Sequence, residues 1–269
     1  MGSDLARRLG AEFVGTALLV FVGAGAFVGA VTLSNGKLTY AAIGFIALAF
    51  ALIVAGVIYA FGRLSGGHFN PAVTVALTLC RRFPAAELTP YVLVQIAGGI
   101  LGALFIIGTF GHGAANMHAT GGTTLGPHVN YAQGVLAEGV GTYFVMLTVM
   151  ALAIDKRAPS GWAGLIIGLA VAGEIMVIGP LTSGSVNPAR TTGPYLMTAI
   201  FGSGPPWGQY FIYWVGPCAG AVAAALSYDL IMRPRRAGAE DQNSPPPAGD
   251  SERGGRDGSR GRSEHAPAS

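Results

Sequence analysis

Long hydrophobic runs alternate along the chain with short polar connections. Six runs approach the roughly 20 residues that a helix needs to cross a hydrocarbon core: 9–33, 40–61, 88–110, 131–154, 162–178 and 208–232. Two further apolar segments, 71–80 and 188–200, are shorter. At about 1.5 Å per residue, ten residues of helix reach roughly 15 Å, so these segments enter a bilayer and stop near its centre. Beyond 232 the pattern ends. Residues 233–269 are rich in Arg, Gly, Pro, Ser and Asp, and too little of that tail is apolar to offset its ordering entropy, so disorder is predicted there.

Both short segments open on a similar break. The first reads Ser65-Gly66-Gly67-His68-Phe69-Asn70-Pro71-Ala72 and the second Ser183-Gly184-Ser185-Val186-Asn187-Pro188-Ala189-Arg190, with the asparagines 117 residues apart. Ala11-Glu12-Phe13-Val14-Gly15-Thr16 in the first run likewise resembles Ala137-Glu138-Gly139-Val140-Gly141-Thr142 in the fourth. Each half is therefore a Glu-bearing span, a second span, a break, a short helix and a third span. Three spans is an odd number, so the second half enters the membrane upside down. Such an inverted repeat relates its halves by a pseudo-two-fold axis in the membrane plane. The two short helices then meet at their amino ends. The predicted fold class is an all-α membrane protein of six transmembrane helices plus two re-entrant half-helices. A channel domain covers 1–232, with repeats at about 8–110 and 131–232, and the tail follows.

Composition agrees: 51% of residues are hydrophobic, 11% are charged, and 42 glycines are spread through the apolar runs. Small residues let membrane helices approach closely. Charge fixes the expected orientation. Arg7, Arg8, Arg63, Arg81, Arg82, Lys156, Arg157, Arg233, Arg235 and Arg236 share one side, whereas the other carries only Lys37 and Arg190. Positive residues mark the cytoplasmic face, so both termini are expected there, and the first run is read as a retained span rather than a signal peptide. Cys80 and Cys218 fall in apolar sequence without a disulfide or metal-ligand pattern.

Non-helical backbone at membrane depth survives only inside protein or along a water-filled cavity. In each break, Asn at the N-cap and Pro at the first helical position start a helix. The asparagine carbonyl accepts a backbone N–H there, and its NH₂ is left to donate into the cavity. Each helix amino end adds roughly +0.5 of an elementary charge. Asn70 and Asn187 would thus present paired donors where two positive ends meet. Water passing that point must accept, which breaks a proton relay, and cations meet a positive potential.

On both Asn-Pro-Ala boxes, Gly66-Gly67-His68, the Glu12 and Glu138 spans, Asn187-Pro188-Ala189-Arg190 and Trp214-Val215-Gly216-Pro217, the sequence resembles the aquaporins of the major intrinsic protein family over about 8–232. Electrostatic exclusion of this kind is an established property of aquaporin-type pores. The resemblance implies a right-handed bundle and a homotetramer with one pore per subunit. It also implies a selectivity filter at Arg190 and at positions twenty before the first Asn, twelve before the second and three before the second: Phe50, Ile175 and Gly184. Strict water pores have His and often Cys at the last two places, so this filter is expected to be wider and more apolar. Thr191 replaces the Asp that follows the arginine in glycerol facilitators, and Tyr213-Trp214 resembles the aquaporin pair in the sixth span. The pattern is closest to archaeal and plant-vacuole aquaporins.

Pore-wall carbonyls are expected from Gly66, Gly67, His68, Ser183, Gly184 and Ser185. For Glu12 and Glu138, intramembrane acids, proton relay competes with bracing of the loops, and the resemblance favours bracing. Glu174 has no counterpart in the family pattern; it braces a loop, faces a neighbouring subunit or reaches the pore. His112, His118 and His128 are read as solvated loop residues. The expected function is a passive channel of a cell (plasma) membrane for water and small neutral solutes such as glycerol, ammonia, carbon dioxide and hydrogen sulfide, excluding protons and ions. A glycerol facilitator, a secondary transporter and an ion channel are the alternatives. Membrane lipid is the expected surrounding, with no metal, cofactor or nucleic acid and no enzymatic activity.

Overall fold

In the computed structural model, residues 2–116 and 121–232 are described, and they contain helices and connections without a strand. The predicted disordered tail and His118 lie outside the described residues. Six helices are long and apolar enough to cross a membrane: α1 (Asp4–Leu33), α2 (Tyr40–Ser65), α4 (Ala85–Phe110), α6 (Tyr131–Ile154), α7 (Ala163–Thr182) and α9 (Trp207–Met232). The half-helices are α3 (Pro71–Leu79) and α8 (Pro188–Phe201), and α5 (Gly113–Asn116) is a single turn in the connection before α6.

The structure moves several predicted helix ends. The first helix already begins at Gly2, so a polar stretch carrying Arg7 and Arg8 precedes the apolar run. Helix α2 continues to Ser65 rather than stopping at 61, because the left-handed position that ends it (φ +93°) is Gly66. Helix α7 runs through Pro180 to Thr182 and ends on Ser183, also left-handed (φ +69°). A proline within a last turn costs one backbone hydrogen bond without forcing the helix to stop.

Packing repeats between the halves. Helix α1 lies along α4 as α6 lies along α9, and α2 lies along α7. Close approach is built from glycine. A Cβ on Gly98 or Gly102 of α4 would collide with the Phe13 or Ala17 carbonyl of α1. A Cβ on Gly220 of α9 would collide with the Gly139 carbonyl of α6. Each half-helix also leans on the third span of the other half, α3 on α9 and α8 on α4. Phe45, Leu52, Leu136 and Val177 stay exposed, as lipid-facing side chains must be.

The chain ends of several helices are tied at one face. Arg8 pairs with Glu87 at 2.7 Å, and Arg82 pairs with Asp229. Asp155, just past α6, accepts from the Arg157 side chain, the Arg157 N–H and the Tyr228 hydroxyl. Those contacts, the Arg157 side chain first, hold its carboxyl well below the usual carboxylate range.

Candidate functional site

The two breaks fold alike because equivalent positions take left-handed backbone: Gly66, Gly67 and Phe69 in the first, Ser183, Gly184 and Val186 in the second. Such turning backbone leaves N–H groups without helical partners, and buried N–H groups must be satisfied. One carboxyl satisfies them in each half. Glu12, fully buried on α1, accepts from the Ser65 hydroxyl (2.6 Å), the His68 and Phe69 N–H groups (3.0 and 2.6 Å) and the Gln95 amide (2.8 Å). Glu138, fully buried on α6, accepts from the Thr182 hydroxyl (2.7 Å) and the Ser185 and Val186 N–H groups (2.9 and 2.7 Å). Tyrosine hydroxyls donate to the carbonyls where the preceding helices end: Tyr91 to Ser65 at 2.9 Å and Tyr213 to Thr182 at 3.1 Å.

Asn70 and Asn187 cap the half-helices. The Asn70 Oδ1 accepts from Ala72 N at 2.9 Å, and the Asn187 Oδ1 accepts from Ala189 N at 3.0 Å and Arg190 N at 3.3 Å. Pro71 and Pro188 occupy the first turn. The amide groups reach across to the opposite loop: Asn70 Nδ2 donates to the Val186 carbonyl and Asn187 Nδ2 to the Phe69 carbonyl, each at 2.8 Å. One N–H of each amide is thereby committed, which narrows the expectation that the whole NH₂ faces the cavity. The other N–H of each remains at the point where the half-helix amino ends meet.

A cavity of about 620 Å³ leads to this point. Gly66, Gly67, His68, Phe69 and Asn70 line it from one loop and Ser185, Val186 and Asn187 from the other, and Phe50 and Arg190 also line it. Arg8, Arg63 and Arg82 are among its lining as well. Ser183, Gly184 and Ile175 lie beyond that lining. His68 turns its ring to the Thr74 hydroxyl (3.1 Å) and packs against Phe83 and Tyr91, while its backbone stays with the loop.

The remaining candidates form two contacting pairs. The Arg190 guanidinium, 2% exposed, lies 5.3 Å from the centre of the Phe50 ring, and its Nη1 donates to the Gly121 carbonyl at 2.7 Å. The ring sits where Gly23 on α1 has no side chain. A Cβ placed on Gly184 would lie 3.2 Å from Ile175 Cγ1, so these two are immediate neighbours. Thr191 bonds to the Ser185 hydroxyl at 2.6 Å and to Thr123 at 3.1 Å.

Several participants carry little signal in the sequence. Ser65 with Thr182 is findable at the 117-residue offset of the asparagines. Gln95 looks like a polar residue in a span, and Gly121 and Thr123 sit in an uncharged loop that carries no signal. Glu174 proves fully enclosed, with neither carboxyl oxygen partnered among the described residues. Among the described histidines, His112 packs edge-on against Phe201 and His128 adopts left-handed backbone.

Comparison with known proteins matches this architecture. The family model described as "Major intrinsic protein" matches residues 2–228. A probable aquaporin AqpM of Archaeoglobus fulgidus is 44% identical, covering 87% of this chain and all of that one. Aquaporin AqpM of Methanothermobacter marburgensis is 42% identical (85% and 98% covered), and Aquaporin Z of Photorhabdus laumondii is 37% identical (84% and 97%). Among solved structures, the aquaglyceroporin of Plasmodium falciparum superposes with a TM-score of 0.73 at 24% identity, covering 85% of this chain and 97% of that one, a likeness of fold. The chain belongs to the major intrinsic protein family and is a multi-pass membrane protein that forms a passive channel for water and small neutral solutes.

Proposed function

We propose that the facing Asn-Pro-Ala loops are the pore centre and that Phe50, Ile175, Gly184 and Arg190 are its selectivity filter. The cross-loop amide bonds at 2.8 Å carry this reading. They fix each asparagine so that its second N–H donates to whatever occupies the centre. A water there accepts from both asparagines and cannot pass a proton along its file. The amino ends of α3 and α8 add positive potential at the same point, which turns cations away. Glu12 and Glu138 act as braces, since every contact each carboxyl makes in the site holds a loop or its supports.

Phe50 and Arg190 supply one flat apolar wall and one donor wall. Ile175 supplies a second apolar wall, and Gly184 leaves the space of a side chain. Such a filter passes water first and small uncharged solutes such as glycerol, ammonia, carbon dioxide and hydrogen sulfide more slowly. The basic residues gathered in the connections of one side support cytoplasmic termini, and a plasma membrane is the proposed setting. A homotetramer with a pore in each subunit is the assembly that the family resemblance implies.

Stopped-flow shrinkage of proteoliposomes tests the pore. Water efflux well above that of empty vesicles, without proton leak, is expected, and efflux equal to empty vesicles defeats the reading. Ile175→His tests the filter. The added polar ring is expected to lower glycerol flux relative to water flux by about tenfold, within the range that one methylene-scale change in fit is worth. An unchanged ratio would remove Ile175 from the filter.

A further inference from the structure

The filter region contains a polar group that the channel scheme does not use. Glu174 sits on α7 beside Ile175, is 3% exposed, and has no hydrogen-bond partner for either carboxyl oxygen among the described residues. The other buried acids inside the membrane, Glu12 and Glu138, each hold a loop. A buried polar group left unpaired costs stability, so its presence asks for an explanation.

Its position supplies one. The carboxyl occupies a niche between two glycines, and a Cβ on either Gly141 or Gly184 would lie 3.3 Å from Glu174 Oε2. The Gly184 Cβ position is also the one in contact with Ile175. The carboxyl therefore stands directly behind the filter wall at the place where a side chain is missing. A carboxyl oxygen accepts hydrogen bonds in either protonation state. Across the filter, the Arg190 Nε is likewise unpartnered among the described residues and is a donor only.

We propose that Glu174 is a further specificity-determining residue of the channel, an acceptor that turns past Gly184 to meet solutes held by Arg190. The pair suits small neutral molecules that carry both N–H or O–H donors and an acceptor, that is, small amides and polyols. Gly184 has no side chain to block the turn of the carboxyl. Water gains little from a second anchor, because it exchanges partners with the next water in the file. The inference rests on the filter assignment above.

The test compares proteoliposomes carrying the parent, Glu174→Gln and Glu174→Met. Shrinkage in an impermeant osmolyte reads water, and swelling in urea and in glycerol reads solutes. Gln keeps an acceptor oxygen and Met keeps the volume without one. Water flux within about twofold of the parent is expected in both. Urea and glycerol flux are expected to hold within about twofold in Glu174→Gln and to fall roughly threefold to tenfold in Glu174→Met, the worth of one net hydrogen bond. Unmoved solute flux in Glu174→Met overturns the proposal, as does a parallel fall of water and solutes, or a parent that conducts neither urea nor glycerol. If Glu174→Met fails to assemble, Glu174→Asp withdraws the carboxyl by one methylene and is expected to lose solute flux similarly; the parental ratio there overturns it. Absent water flux in the parent defeats the pore reading itself, whereas normal water flux with unmoved solutes defeats this inference alone.

Discussion

The first loop and the second are built to one plan and then diverge. Each places left-handed backbone at three equivalent positions, hangs its N–H groups on a buried glutamate and takes a tyrosine hydroxyl at the preceding helix end. Each also donates an asparagine N–H to the other across the centre. The divergence lies around those shared parts. Gln95, four residues after Tyr91, gives Glu12 a fourth donor, whereas Pro217, four after Tyr213, gives Glu138 none. The second half instead carries Arg190, Ile175, Gly184 and the unpartnered Glu174. Symmetry serves the proposed pore centre, where two opposed donors are needed. Asymmetry serves the proposed filter, to which the first half contributes Phe50 and the second Ile175, Gly184 and Arg190.

Removing the shared carboxyls should produce the largest effect. Glu12→Ala strands the Ser65 hydroxyl, two backbone N–H groups and the Gln95 amide, and Glu138→Ala strands the Thr182 hydroxyl and two N–H groups. At roughly 1 kcal/mol for each stranded donor, the low end for such groups, the losses are about 4 and about 3 kcal/mol. Either is a large share of the stability a folded protein has to lose. Yield of monodisperse protein in detergent should collapse for both, and further for Glu12→Ala. A well-folded Glu138→Ala beside an unfolded Glu12→Ala would show that the second loop is held by something else.

Gln95→Leu makes the first half resemble the second in donor count. The Gln95 amide donates to Glu12 at 2.8 Å and to Thr74 at 3.0 Å, so it ties the brace to the half-helix α3 as well as to the loop. Its loss should cost about 1–2 kcal/mol and lower the thermal midpoint by about 3–6 °C. Water flux should stay within twofold, because the Phe69 N–H and the second loop, which has no such amide, still hold the centre. A large fall in water flux would mean that the halves depend on different supports for the same geometry.

Most of the fold is legible in the sequence because membrane spans announce themselves by length and hydrophobicity, and the repeat announces its symmetry through Asn70 and Asn187. Helix ends are less so. The stop of α2 depends on Gly66 and that of α7 on Ser183, and the sequence alone cannot distinguish Pro180 inside a last turn from Pro180 beyond it. In the site, glutamates at equivalent positions of a repeat can be read as braces. Contacts made across the fold cannot. Gly121 holds Arg190 through a carbonyl, which every residue possesses, so its identity carries no trace of the role. Glu174 falls on a helix that hydropathy identifies, but its niche is made of glycines 141 and 184, distant in the chain and silent as a pair.

The smallest expected difference is also the most exacting test of the division between centre and filter. Asn70→Ala and Asn187→Ala each remove a cap, worth about 1 kcal/mol, and each remove one amide bond to the opposite loop. To that extent they should be indistinguishable in thermal stability. Asn187 does one thing more: its Oδ1 also receives the Arg190 N–H at 3.3 Å, a long bond at the weak end of the net range, about 0.5 kcal/mol. The extra loss amounts to only about 1–2 °C in the midpoint. Its consequence for transport should be clearer, because that bond orients the first turn of α8 and with it the guanidinium against Phe50. Glycerol-to-water flux should therefore shift in Asn187→Ala and stay near the parental value in Asn70→Ala, measured side by side in vesicles of one composition. Equal shifts would mean that Arg190 is held by the centre as a whole rather than by its own loop.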